Sequence, residues 1–300
     1  MKDKKMTRYD LKMDNQTEFY RPLNKTLKKT VSTFIFIALC IFAVIQLFPL
    51  YWLMTFSFKD NYEIFGGNVI GLPQVWRVSN YIKALTSGNV LVFLINSVIV
   101  TVSTIVITSL LVCTSSYAIV RMKWKLSGVT LVYFLVGMMV PIHATLLPLF
   151  MILRKFKLLN SHLAIIIPYV AFALPIGILI MTGFLESIPK ELEEAACIDG
   201  CSIYKVFGKL ILPLMRPAIA TISIFTYMSS WNELMFANTF INSDRLKTLT
   251  VGIFSMVNEN ETEWGPIGAG LVIATLPTII MYIVFSGQVQ KSLIMGAVKG

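Results

Sequence analysis

The stretch "KELEEAACIDGCSIYKVFGKLILP", residues 190–213, decides how the rest of the chain reads. Five of the sixteen acidic residues fall between Glu186 and Asp199, in a chain that is otherwise apolar and basic. Helix signals frame that acidic run. Pro189 suits a first helical turn, where a missing N–H is no loss. Glu191, Glu193 and Glu194 follow at the positive end of the helix dipole. Leu192, Ala195 and Ala196, spaced i, i+3, i+4, make one narrow face of small residues. Gly200 ends the helix where a left-handed residue is needed. Ser202 is placed to cap a second helix. There Ile203, Val206, Phe207 and Leu210 form an apolar stripe opposite Lys205 and Lys209, and Pro213 stops or bends the chain. The prediction is a helix–glycine turn–helix with arms of about ten residues, too short to cross a bilayer. Such a hairpin lies on a membrane surface or under a bundle, or it presents a face to another protein. A DNA-binding hairpin would need basic groups aimed at phosphates, and the first arm is acidic.

Outward from the hairpin, both flanks are lipid-like. The 300 residues are 56% hydrophobic and 14% charged, with mean hydropathy +0.72; soluble domains hold about 45–50% apolar and about 25% charged residues. Six runs are long enough to span hydrocarbon at about 20 residues each: 31–58, Val90–Val120, Val129–Leu153, Leu163–Phe184, Ala218–Phe240 and Pro266–Phe285. The first has no small-residue cleavage site and is read as an uncleaved span. The expected fold is all-α, with six transmembrane helices between a polar N-terminal tail (1–30) and a short C-terminal tail (291–300), and with the hairpin in the loop 185–213. With the N-terminus inside, eighteen of the 26 Lys and Arg residues lie on the cytoplasmic side and eight outside. That excess follows the positive-inside rule, although "RKFK" at 154–157 runs against it. The net charge of +10 accordingly marks topology and contact with anionic lipid rather than nucleic acid. Between the first two spans, "GGNVIGLP" is turn chemistry.

The hairpin resembles the cytoplasmic loop of the membrane subunits of binding-protein-dependent ABC importers. That family's EAA motif falls on Glu194, Ala195, Ala196, Gly200, Leu210, Leu212 and Pro213, with Leu210 at a position that is usually Ile. "GLPQVWRVSNYIKAL", "NSVIVTVSTIVITSLLVCTSSYAIVRMKWK", "SSWNELMFANTFI" and the terminal "MGAVKG" are similar to the sugar-uptake, MalG-like branch, so the likeness covers most of the chain after residue 31. The resemblance implies a type I importer permease working with a second, related permease, two cytoplasmic ATPase subunits and an extracytoplasmic solute-binding protein that delivers a carbohydrate. It implies that Glu194, Ala195, Ala196, Asp199, Gly200, Ile203, Phe207, Leu210, Leu212 and Pro213 couple the spans to the ATPase. It implies a bacterial cytoplasmic membrane with both termini inside.

The remaining chemistry is sparse. No GxxxxGK[ST] phosphate loop is present, so ATP and Mg belong to a partner, and this chain is expected to bind no cofactor and to catalyse no reaction. Cys197 and Cys201 have no accompanying His or second Cys pair, which argues against a metal site. Trp231, Asn232, Glu233 and Asn238 combine an aromatic face with amide and carboxylate groups, the types that line a saccharide path; the same residues also serve as polar glue between helices. His143 sits inside a span, either on the path or simply hydrogen-bonded. The segment 241–265, with Trp264 and the acidic Glu259, Glu261 and Glu263, is expected to be an outward loop that either meets the binding protein or is merely solvated. A stand-alone secondary transporter or channel is the alternative. It would need intramembrane charges or an internal repeat, and the sequence has few of the first and no sign of the second. An intramembrane enzyme would need paired catalytic groups that are not there.

Overall fold

The computed structural model describes residues 25–122, 124–257 and 262–297, and every regular element among them is helical. The expected basic tail therefore lies largely outside the described residues, as do Lys123, Glu259, Asn260, Glu261 and the last three residues. Two compact units are present, 1–53 and 54–300. The described part of the first is α1, Lys25–Phe56, whose last turn belongs to the second. α1 starts six residues before the predicted span and is continuous through Pro49.

In the second unit, α2 (Asn61–Phe65) and α3 (Ser79–Leu85) lead to α4 (Val90–Arg121). Next come α5 (Ser127–Val136), α6 (Leu146–Lys155) and α7 (Leu163–Ser187). The hairpin carries α8 (Glu191–Ile198), α9 (Ile203–Val206) and α10 (Leu212–Leu214). The chain ends with α11 (Arg216–Trp231), α12 (Met235–Phe240), α13 (Leu249–Phe254) and α14 (Trp264–Ala297). Among the described residues four helices are long and apolar enough to cross a membrane alone, and the number reaches six if each of two bent pairs, Ser127–Met139 with Ile142–Lys155 and Ile203–Leu214 with Arg216–Trp231, is one span.

The bends correct the sequence reading. The predicted third span, 129–153, turns through 92° between Met139 and Ile142, because Val140 and Pro141 are both extended, with ψ of 117° and 115°. Pro168 and Pro175 stay inside a continuous α7. The predicted fifth span, 218–240, stops at Trp231 and resumes at Met235. There the Glu233 carboxylate accepts the N–H groups of Phe236 (2.7 Å) and Ala237 (3.1 Å), so a side chain displaces the helical ladder. The expected outward loop 241–265 is instead partly core: Leu249, Val251 and Ile253 of α13 are buried.

α4 is the spine. It runs alongside α7, α11 and α13 and contributes to all three apolar clusters, through Val112 and Tyr117, through Val100, and through Val90 and Phe93. α4 and α7 meet closely at Gly177, where an added Cβ would lie 2.7 Å from Val112 Cγ2. Contacts of this kind let helices associate in lipid, where the hydrophobic effect gives no drive between them.

Candidate functional site

The hairpin closes the end of the bundle where α4, α7 and α11 converge. α8 starts at Glu191, so Pro189 lies in the lead-in rather than in the first turn. At its other end the Cys201 N–H donates to the Ala196 carbonyl and the Gly200 N–H to that of Cys197, both at 3.0 Å. This pair of bonds stops a helix when the intervening residue is left-handed, and Gly200 has φ +80°. Nothing lies within 4 Å of where a Gly200 Cβ would sit. Glycine is therefore favoured there by the backbone conformation alone.

The second arm departs from prediction. Ser202 occupies the N-cap position, but its side chain makes no capping bond. After α9, residues Phe207–Ile211 form a wide π turn in which the Leu212 N–H reaches the Phe207 carbonyl. Pro213 accounts for it: it has no N–H for the Lys209 carbonyl, and its ring crowds that oxygen. A one-residue widening relieves both. The 69° bend into α11 falls between Leu214 and Arg216.

The two sides of the hairpin differ. Val206, Ile211 and Met215 are buried, and Ala196, Phe207, Leu210 and Leu212 pack beside them against Tyr117, Leu185 and Ile188. The Phe207 ring lies 4.8 Å from that of Tyr117. On the outer side Leu192 and Ile203 are exposed, Ile198 is 86% exposed and Tyr204 81%. Glu194, Ala195, Asp199, Gly200 and Pro213 share that exposure. The ten residues singled out from the motif thus divide into six on the outer surface and four that fasten the hairpin to the bundle.

A polar clamp that sequence reading missed completes the attachment. Arg121, the last residue of α4, donates through Nη2 to the carbonyls of Leu185 (2.9 Å) and Ile188 (2.7 Å). Its Nε lies 2.8 Å from Glu193 Oε1, an ion pair without hydrogen-bond alignment, with side-chain exposures of 4% and 14%. Tyr117 donates to the other Glu193 oxygen at 2.9 Å. One buried guanidinium therefore joins α4, the end of α7 and α8. In sequence, Arg121 reads only as a topology charge and Glu193 only as a dipole partner; their 72-residue separation hides the pairing.

The candidate path residues are not gathered in one place. Trp231 is buried, stacked on Tyr227 at 5.3 Å, and donates to the Ala274 carbonyl at 3.3 Å. Glu233, besides capping α12, accepts from Tyr169 at 2.5 Å. Asn232, Asn238 and His143 are exposed. At the end of the bundle away from the hairpin a polar cleft of about 950 Å³ opens, lined among others by Lys59, Asp60, Arg77, Lys83, Asp244 and Lys247. Asp60 pairs with Arg77 (2.5 Å), Lys247 with Asp244 (2.7 Å) and Lys83 with Glu263. Trp264 meets the ring of Phe65 edge-on at 6.5 Å.

Apolar helices of membrane-spanning length thus carry a helix–glycine turn–helix at one end. Residues 111–292 match the family described as "Binding-protein-dependent transport system inner membrane component". The chain is 34% identical to the probable ABC transporter permease YurM of Bacillus subtilis, over 93% of this chain and 92% of that one. It is 33% identical to the trehalose/maltose transport system permease MalG of Thermococcus litoralis, over 86% and 93%. Its fold matches a chain of a bacterial ABC transporter involved in the import of the acidic polysaccharide alginate, with TM-score 0.77 and 24% identity over 89% of this chain and 99% of that one. This chain belongs to the family of binding-protein-dependent transport system inner membrane components: it is an ABC importer permease, a multi-pass transport subunit.

Proposed function

We propose that this permease carries a carbohydrate across a bacterial cytoplasmic membrane, in a complex with a second permease, two ATPase subunits and an extracytoplasmic binding protein. The observation that carries this reading is the outward face of the hairpin. Ile198 and Tyr204 leave large apolar surface uncovered on a unit that the buried clamp makes stiff. A neighbouring protein with an apolar cleft is the occupant that such a surface fits. The hairpin then faces the cytoplasm and both termini lie with it, in keeping with the excess of basic residues on that side. The cleft of about 950 Å³ faces outward, toward the binding protein.

Carbohydrate is favoured because the relative from Thermococcus litoralis is described by its trehalose/maltose transport and the alginate transporter imports a polysaccharide. In this reading Asn232, Asn238 and His143 offer polar groups to a path shared with the second permease. Trp231 and Glu233 stand behind them, holding the break between α11 and α12 in shape. ATP closes the ATPase pair, the docked hairpin moves, and the kinked spans rock between inward-open and outward-open forms.

The test is purification of the tagged chain from native membranes in mild detergent. A second permease and an ATPase should accompany it, and both should be lost when residues 189–213 are replaced by a flexible linker. Recovery of the chain alone, still moving solute without ATP after reconstitution, would favour a secondary transporter instead.

A further inference from the structure

α4 is held by polar groups at both of its ends, and nothing interrupts it between them. At one end Arg121 and Tyr117 grip Glu193 of the hairpin. At the other, Asn96 donates to the carbonyls of Arg245 (2.9 Å) and Lys247 (3.0 Å), and the Ser97 hydroxyl accepts the Leu249 N–H (2.8 Å) at the start of α13. From Asn96 to Arg121 the helix rises about 38 Å. α4 contains neither Pro nor Gly, whereas α7 carries Pro168 and Pro175 and α14 carries Pro277. Sharp kinks arise mostly at proline or where a small-residue pair interrupts the ladder. The segment gripped by Asn96 and Ser97 includes Lys247, and Asp244 precedes it; both line the polar cleft.

We propose that α4 is the rod linking the hairpin to the 245–249 segment and its cleft, with Arg121 and Glu193 as the positioning residues that engage it. This rests on the permease reading above and adds a direction to it. A partner bound at the cleft biases the hairpin, and a partner bound at the hairpin biases the cleft equally, because coupling between two sites is reciprocal.

The variant to use is the pair Arg121→Gln with Glu193→Gln. Removing both charges leaves no unpaired buried ion, so the fold should be disturbed less than by either single change. In the reconstituted full complex, the double variant should assemble in wild-type amount and keep basal ATP hydrolysis within twofold. Stimulation of hydrolysis by loaded binding protein should fall at least tenfold. Asn96→Ala, at the far end, should give the same signature. A merely structural role would lower assembly and basal hydrolysis together and leave the stimulation ratio unchanged. A second readout needs no partner: in the purified chain, hydrogen exchange in the peptide covering 245–252 should speed up at least threefold in the double variant. A stimulation ratio within twofold of wild type, unchanged exchange at 245–252, or failure of both variants to assemble would each overturn the rod. If the wild-type chain recruits no ATPase, the permease reading fails by itself, and the exchange measurement still decides whether α4 couples its ends.

Discussion

At the hairpin end of the bundle a largely buried ion pair joins helix to helix. At the opposite end the ion pairs are more exposed, and buried amides and one buried ammonium tie loops to backbone carbonyls. Arg121 pairs with an ionised partner on another element. Lys59, fully buried, donates instead to the carbonyls of Asn68 (2.5 Å) and Gly71 (2.8 Å), with that of Val69 at 3.4 Å. Asn80 donates to the carbonyls of Ser57 and Lys59, each at 2.9 Å. Glu63 accepts from the Gln74 N–H (2.7 Å) and the Asn68 amide (2.6 Å). The difference teaches what each end is for. Carbonyl-directed bonds set the shape of a loop and resist any change in it. A single ion pair between helices fastens a preformed unit to its neighbour and leaves the unit's other face exposed.

This contrast can be broken at either end. The largest effect is expected from Arg121→Ala, which strands the Glu193 carboxylate in a buried site and should cost about 3–5 kcal/mol of stability. Adding Glu193→Gln to it should restore the part due to the stranded charge, while the carbonyls of Leu185 and Ile188 stay without their donor. Lys59→Met should cost roughly 2–3 kcal/mol by leaving buried carbonyls unpaired, and no second charge change should rescue it, because among the described residues no carboxylate pairs with Lys59. Unfolding of the purified chain in detergent measures both, and rescue at one end only is the result that upholds the contrast. Gly200→Val should cost about 1–2 kcal/mol through its left-handed backbone. Its effect on ATP-driven transport should be far larger, since both arms of the hairpin are misaimed. Gly200→Asn should come close to wild type, because Asn tolerates that conformation and the site is open. The smallest effect is expected at Glu233→Ala, where loss of the α12 cap should cost about 1 kcal/mol. Its readout is the same unfolding measurement.

What could be read from the sequence follows from where the physics is local. Lipid imposes long apolar runs on every span, so the apolar, all-helical character of the chain was legible from composition although the breaks within the third and fifth runs were not. Gly200 was legible because a left-handed stop after an acidic, alanine-bearing helix is a local pattern. Proline was ambiguous: Pro141 ends a helix, while Pro168 and Pro175 remain inside one. Backbone groups freed by proline are satisfied by neighbours that the sequence does not name. Glu233 read as a polar group on a path, because residues 218–240 looked like one continuous helix. Its position three residues before Phe236 was the available sign of a cap. Arg121 with Glu193, and Asn96 with the 245–249 backbone, are tertiary contacts that no local pattern announces. The outer half of the hairpin motif is the part whose meaning the fold alone does not exhaust, since Ile198 and Tyr204 contact so little of their own chain.

The most direct test of the account places a photo-crosslinking amino acid at Tyr204, and separately at the exposed Leu147 on α6, in cells that make the native complex. Crosslinking at position 204 to an ATP-hydrolysing subunit, enhanced or diminished by nucleotide and absent from position 147, is the predicted result. Crosslinks from position 204 to lipid alone, with transport intact, would contradict the claim that this hairpin receives the ATP-driven motion.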